Sequence, residues 1–364
     1  MIARARGVPR LDLLPTEDDL QWAHMVTRGT DFLARVPLLR AWSLDRRAHE
    51  SGDVRVWLAL ECLQITGSFK VRGAFTGAGR LRTRGASRVV AASAGNHGAG
   101  LAFVAPHVGI AATIVVPKTA PRKKVDAIRA TGGDSVTLIE HGAGYDEAEA
   151  YAKDLAQKSG DPFLSPYDDV DVISGNGATL AAEIVDELTR HKDGVMTEPA
   201  VILAPFGGGG LATGLACGLA HALGEAYGEK RRVWGVQGDR SPAFALSLEQ
   251  GAAVTSLPAV DTLADGLEGG IAEKAFARAA GVVAGVVVVS EDAIAQAMRV
   301  AFRELGLAIE GSAAAALAPV LSGLPEEIAA DVRKDGGEAE TAGDVVVVLS
   351  GRNVDPDRLM RVVC

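Results

Sequence analysis

Short runs of β-branched and small apolar residues recur along the chain, each followed by a glycine-bearing turn and an alanine-rich helical stretch. One set comprises Arg88–Ser93, Ala112–Pro117 and Ser135–Glu140; a second comprises Ala200–Phe206, Arg231–Gln237, Gly285–Ser290 and Asp344–Ser350. A strand that is apolar along its whole length, rather than at alternate positions, is buried on both faces. Parallel sheets flanked by helices meet that condition. The pattern therefore predicts an α/β fold with two open, mostly parallel twisted sheets and helices on both faces. Helical patterns at Gly144–Ser159, Asn176–Arg190, Leu211–Gly224 and Ser290–Leu305 fill the intervals, the last with Ser290 as N-cap ahead of Glu291 and Asp292. Segments near Gly160–Asp171 and His191–Glu198 read as connections, and Gly323–Gly343 as a helix plus an exposed loop. The apolar stretch Ala279–Val289 is too short to span a bilayer and reads as a buried strand.

A length of 364 residues exceeds what one core usually organises, so two domains are expected. The reading assigns residues 1–80 and 181–364 to a large, discontinuous domain and 81–180 to a small inserted one. A net charge of −9 gives no basic footprint for nucleic acid, so the expected partner is a small molecule, with no nucleic acid and no membrane. Cys62, Cys217 and Cys364 are an odd number of thiols without CxxC spacing, which fits a reducing, cytoplasmic setting. Arg4, Arg6 and Arg10 are not followed by an apolar segment, so no signal peptide is read.

Four motifs carry chemistry. In Thr66-Gly67-Ser68-Phe69-Lys70-Val71-Arg72-Gly73, small residues and an aromatic precede the lysine. A surface lysine is the ordinary reading. A lysine that forms an imine needs a desolvated setting that lowers its pKa, and this context offers one. Ser93-Ala94-Gly95-Asn96-His97-Gly98 follows an apolar run and opens a helix. Backbone N–H groups there point outward and suit a carboxylate. Gly207-Gly208-Gly209-Gly210-Leu211-Ala212 lies between a strand and a helix, where bare backbone amides can wrap a phosphate. Gly207, Gly209 and Ala212 also match a dinucleotide fingerprint, but the next strand ends at Gln237 without the acidic residue that fold requires. Finally, the run Val345–Leu349 delivers Ser350 to the C-terminal edge of a sheet, where open α/β sheets bind ligands.

Taken in this order, the four motifs resemble those of the fold-type II pyridoxal-phosphate enzymes, with a tryptophan synthase β-like architecture. The resemblance is strongest to the serine/threonine dehydratase (threonine ammonia-lyase) group and runs from Val36 to Val354. It implies pyridoxal 5'-phosphate as cofactor, with Lys70 as the Schiff-base lysine and the base for the α-proton. Phe69 would pack by the ring, Asn96 would bond the ring hydroxyl, Gly207, Gly208, Gly209, Gly210 and Leu211 would hold the phosphate, and Ser350 would face the pyridine nitrogen. Ser93, Ala94, Gly95, Asn96 and His97 would grip the substrate carboxylate, with Lys70 and Ser93 as the candidate catalytic residues. The implied reaction is β-elimination from a small hydroxy amino acid such as serine or threonine, giving a 2-oxo acid and ammonia. 3-Hydroxyaspartate or phenylserine, and a serine-racemase-like activity, are the alternatives; a different class is an NAD-dependent oxidoreductase built on Gly207–Ala212, and another is a non-catalytic binding protein. The resemblance further implies a homo-oligomer such as a homodimer.

The chain departs from its relatives at several points. Ala94 stands where serine racemases carry a second serine, and their metal-ligand positions fall near Gln237, Ser241 and Ala243, which supply no carboxylate, so no metal is expected. Arg352 replaces a glycine of the pyridine-nitrogen motif; it either points to water or adds a cation to the cleft. Ala99 stands where a glutamine is common. The chain stops soon after the Ser350 motif, so no regulatory domain is expected at its C-terminus.

Overall fold

The computed structural model describes residues 1–50, 54–227, 230–335 and 342–364. Its strands are β1 (Ile2–Arg4), β2 (Leu38–Arg40), β3 (Val54–Ala59), β4 (Arg88–Ala92), β5 (Ala111–Val116), β6 (Val136–Glu140), β7 (Val201–Pro205), β8 (Val233–Gly238), β9 (Gly285–Val289) and β10 (Gly343–Val348). The larger sheet has the order β1-β9-β8-β7-β10-β3-β2 and the smaller one β4-β5-β6. The smaller sheet is parallel throughout. In the larger sheet the inner strands β9, β8, β7, β10 and β3 are parallel, whereas β1 and β2 run antiparallel along its two edges.

Burial on both faces explains the apolar runs. On one face Val56, Leu58, Val201, Leu203, Val345 and Val347 pack against the helices Glu291–Arg303 and Gly311–Leu321. On the other, Trp57, Ala59, Ile202, Ala204, Val346 and Val348 meet the helices Thr179–His191 and Gly210–Leu223. Alternate residues of one strand thus enter opposite apolar layers. The smaller sheet repeats the arrangement, with Val89, Ala91 and Ile114 on one face and Val90, Ala92 and Val115 on the other.

Two features differ from the sequence reading. Strand β3, the inner neighbour of edge strand β2, has no counterpart in it, because Arg55 interrupts the apolar run, and the three-residue edge strands β1 and β2 are too short to register as runs. Arg55 sits opposite Asp344 of β10 and pairs with it through two bonds of 2.7 and 2.8 Å, while Trp57 Nε1 donates to the same carboxylate at 2.7 Å. A polar position is tolerated there because its charge is matched by the neighbouring strand. The stretch Ala279–Val289 is not one strand. Its first part ends the helix Glu273–Val282, whose Ala275 and Ala279 are buried at helical spacing, and β9 begins only at Gly285. The Gly323–Gly343 reading is met by the helix Glu326–Asp335, and its loop lies outside the described residues. Ser290 caps its helix as expected, accepting from Ala293 N at 3.2 Å.

The helix Lys70–Thr83 is anchored by an ion triad. Arg72 donates to both oxygens of Glu61 at 2.8 and 2.8 Å and to both oxygens of Glu183 at 2.9 and 2.8 Å. Neither Arg72 nor Glu61 has any exposed surface. The two carboxylates hold the guanidinium pKa above its ordinary value although burial opposes this. The next residue approaches the neighbouring turn closely: a Cβ on Gly73 would lie 2.6 Å from the Val172 carbonyl oxygen, and Gly73 N donates to Asn176 Oδ1 at 2.9 Å. Removing the cation would leave uncompensated buried charge. Arg72→Ala should therefore lower the unfolding free energy by about 3–5 kcal/mol, with Arg72→Lys losing less because it keeps the charge but not the fork. Urea denaturation of the full chain measures this, and a loss under about 1 kcal/mol would contradict the assigned role.

Candidate active site

Lys70 is the first residue of its helix, with Phe69 preceding it. Its Nζ donates to the Pro166 carbonyl at 2.9 Å and lies 5.1 Å from the centre of the Phe69 ring. Burial lowers the amine to about 8, and the Glu310 carboxylate opposes that shift. The loop before Lys70 is zipped to the end of β10. Phe69 N donates to Ser350 O at 3.1 Å, Arg352 N to Gly67 O at 2.9 Å, and Ser68 bridges Gly351. Gly67 is required here: its φ is +76°, and a Cβ would meet Asn353 Oδ1 at 2.3 Å.

β4 leads into Ser93, whose N–H donates to Val115 O at 3.0 Å and whose Oγ accepts from Gly95 N at 3.2 Å. The helix Asn96–Val108 starts at once. Asn96 Nδ2 donates to Glu310 Oε1 at 2.9 Å, and its Oδ1 accepts from Asn353 Nδ2 at 2.7 Å. His97 is buried, and neither ring nitrogen has a hydrogen-bond partner of good geometry. Burial, and then the nearby Lys70 charge, push its pKa down to about 3 against the pull of the Leu164 carbonyl, so the ring is neutral.

The tetraglycine loop joins β7 to the helix Gly210–Leu223. Side chains are excluded from it on every side. A Cβ on Gly208 would lie 2.8 Å from the Tyr167 ring, and one on Gly209, at φ +82°, 3.0 Å from the Phe206 ring. A Cβ on Gly207 or Gly210 would come within 3.1 Å of the Gly266 or Tyr167 carbonyl oxygen. Leu211 is buried just beyond the loop.

The expected residues are thereby connected. Phe69, Lys70 and Ser350 share one backbone seam, and Asn96 reaches it through Asn353. Pro166 receives the Lys70 amine, and Tyr167 beside it walls the glycine loop. Ser350 is buried at the end of β10, and Arg352 is exposed. Gln237 is engaged elsewhere: Nε2 donates to Phe206 O at 3.1 Å, and Oε1 accepts from Phe244 N and Ala245 N at 3.1 Å each. Ser241 Oγ accepts from Gly269 N at 2.9 Å. Sequence reasoning missed Glu310, Pro166 and Tyr167, and it gave no role to Asn353, the last residue of the Ser350 motif. For Glu310 a signal existed: it is a lone acid directly before the apolar, alanine-rich segment Gly311–Leu321.

Comparison with known proteins places this geometry. The chain is 37% identical over 306 residues to a biosynthetic L-threonine dehydratase of Burkholderia multivorans, covering 84% of this chain and 55% of that one, so it spans about half of that relative's length. It is 32% identical to a catabolic L-threonine dehydratase of Staphylococcus aureus, with 94% of each chain covered. Among solved structures, the processed form of threonine deaminase isoform 2 from Solanum lycopersicum superposes with a TM-score of 0.78 at 29% identity, covering 100% of this chain and 91% of that chain. The family model described as pyridoxal-phosphate dependent enzyme matches residues 30–351. That match replaces the dinucleotide alternative for Gly207, Gly209 and Ala212. The chain belongs to the pyridoxal-phosphate dependent enzymes, and pyridoxal phosphate is its cofactor.

Proposed function

We propose that this chain is an ammonia-lyase that removes water and ammonia from a small β-hydroxy amino acid such as threonine or serine. The observation that carries the reading is a lysine amine with its pKa lowered to about 8, held by a backbone carbonyl beside a glycine loop that no side chain can enter. The cofactor suits the residues present. Four successive glycines between a strand and a helix N-terminus leave backbone amides without side chains of their own to cover them, as a phosphate loop requires. Thr66 Oγ1, Ser68 Oγ and both His97 ring nitrogens are buried polar atoms without a hydrogen-bond partner of good geometry, clustered in the two segments that meet at Lys70. Such atoms are costly unless a polar ligand or water satisfies them.

When bound, pyridoxal phosphate acidifies the α-carbon of the amino acid joined to it. In this reading Lys70 Nζ would hold the cofactor and, once released by the substrate, would take up the α-proton. The first N–H groups of the helix Asn96–Val108, with Ser93, bind the substrate carboxylate. The neutral Ser350 hydroxyl, buried at the end of β10, would be the partner of the ring nitrogen and, unlike a carboxylate, would not hold a proton on it, which would favour prompt loss of the β-hydroxyl. That group departs as water, and water returns to release ammonia, so the net products are a 2-oxo acid and ammonium. The two sheets support a division into residues 1–80 with 181–364 and an inserted 81–180. The free thiols of Cys62, Cys217 and Cys364 support a cytoplasmic setting, and the exposed Leu63 and Ile65 beside the Lys70 loop support a homo-oligomer. No helix among the described residues is long and apolar enough to cross a membrane. The deciding assay is 2-oxo acid release from serine, threonine, 3-hydroxyaspartate and phenylserine; no product from any of them would reject the reading.

Lys70→Ala should abolish turnover and the visible absorbance of the bound cofactor. Borohydride should fix the cofactor to the unmodified chain and not to this variant. Because the free base is the nucleophile, reconstitution of the unmodified chain with cofactor should accelerate as pH rises through about 8. Fixation to the variant would refute the lysine assignment.

Gly209→Asp should weaken cofactor affinity by about a hundredfold, since it adds both a Cβ at positive φ and a negative charge beside a phosphate. A fluorescence titration with pyridoxal phosphate tests this; unchanged affinity would show that the loop binds something else.

Ala94 has a methyl where an opposite-face proton donor would be needed for racemisation. Serine should therefore give pyruvate with little D-serine, and Ala94→Ser should raise the ratio of racemisation to elimination. Chiral chromatography of the residual amino acid measures both, and rapid D-serine formation by the unmodified enzyme would contradict the argument.

A further inference from the structure

Glu310 lies at the N-terminus of the helix Gly311–Leu321 with 7% of its surface exposed. It is the end point of a hydrogen-bond chain whose polarity can be deduced. The Thr66 carbonyl can only accept, so the Asn353 atom 2.8 Å from it is Nδ2. That same nitrogen is 2.7 Å from an Asn96 side-chain atom, which must be Oδ1. Asn96 therefore turns Nδ2 toward Glu310 Oε1, at 2.9 Å. The Asn353 backbone N–H, which can only donate, ends on Glu310 Oε2 at 3.1 Å. Both oxygens at position 310 must accept, and an ionised carboxylate is the side-chain group that does so.

The chain crosses the cleft, since Asn96 follows a strand of the smaller sheet whereas Glu310 and Asn353 belong to elements of the larger one. Asn96 Nδ2 has a second hydrogen that finds no partner among the described residues. We propose that Glu310 is a positioning residue that, together with Asn353, fixes the hand of the Asn96 amide, so that Asn96 offers an N–H donor rather than a carbonyl to the ring oxygen of the cofactor. This rests on the reading that Asn96 faces that oxygen. Without a carboxylate at 310 only the single bond from Asn353 Nδ2 would oppose a half-turn of the amide, which would turn its oxygen toward an electron-rich ring oxygen that repels it.

The charged and titratable groups around Glu310 are Asp265, Lys124, Lys70 and Cys62. Burial pushes its carboxyl up to about 7, with Asp265 raising it further and the bonds from Asn96 and Asn353 and the charge of Lys124 opposing. Protonation would place an O–H against an N–H that also donates, so the chain should break as pH falls through that value.

The experiment compares the unmodified holoenzyme, Glu310→Gln, and the double variant Asn96→Asp/Glu310→Gln, by pyridoxal-phosphate affinity, cofactor absorbance and melting temperature. Glu310→Gln faces two donors with one acceptor. It should lower the melting temperature and weaken cofactor affinity by about tenfold or more, the scale of one lost hydrogen bond to a charged group. The double variant restores a consistent polarity: the new carboxylate accepts from Asn353 Nδ2 and from the new amide, whose oxygen accepts from Asn353 N. It should regain the melting temperature but not the affinity, because it turns an acceptor toward the ring oxygen. The affinity of the unmodified chain should also drop as pH falls through about 7, and Glu310→Gln should lack that step. Affinity of Glu310→Gln within about twofold of the unmodified chain would overturn the proposal. So would a double variant that recovers its affinity, or one that stays as unstable as the single variant. If the unmodified chain shows no cofactor absorbance, the functional reading fails instead.

Discussion

The helix that begins at Lys70 is held by a guanidinium buried without any exposed surface, and much of the cleft takes its position from that contact. Arg72 binds Glu61, which follows β3, and Glu183, on the helix Thr179–His191, and it also donates to the Ala34 carbonyl at 3.2 Å. Three separate stretches of chain converge on one planar cation. A buried ion cluster of this kind contributes little net stability compared with apolar packing, because desolvation offsets the attraction. What it does supply is direction. The fork of the guanidinium accepts only one arrangement of the two carboxylates, so the start of the helix, and Lys70 two residues earlier, cannot rotate or slide.

Behind that anchor the cleft is shaped by close backbone approach. Gly73 meets Asn176 and the Val172 carbonyl, Gly67 meets Asn353, and Gly208 meets the Tyr167 ring, each at distances that no side chain could tolerate. The same lack of side chains leaves the amide groups of the tetraglycine loop without side chains of their own to cover them, which is what the proposed phosphate site needs. Packing and binding are thus served by one residue type for the same reason, the missing Cβ. The lysine amine then lies in a setting dry enough to lose its proton near neutral pH, with His97 held neutral beside it by the same desolvation.

Much of this was legible in the linear chain. Runs such as Val345–Leu349 can be stable only when covered on both faces, so two mostly parallel sheets with outer helices followed from the pattern of apolar runs along the chain. The turn glycines after β4 and β7 and the small residues before Lys70 marked the loops that the fold brings together. Legibility ended where a local rule was overridden by a distant partner. β3 contains Arg55, which its own neighbours give no reason to bury; Asp344, across the sheet, does. Ala279–Val289 looked uniform because helix and strand used the same small apolar residues, and only the packing of Ala275 and Ala279 separates them.

Sequence by itself determined the fold class and marked the glycine loops and the lysine as candidates, because strand burial, tight turns and helix starts are written in residues a few positions apart. Tertiary structure alone decided what surrounds those motifs. Asn96 meets Glu310 across 214 positions and Asn353 across 257, and Lys70 meets Pro166 across 96. Hydrogen bonds between groups so far apart leave no periodicity or local spacing in the chain. They exist only once two sheets, each assembled for the sake of its own apolar faces, have been packed together, and it is there that the direction of an amide and the charge of a carboxyl are settled.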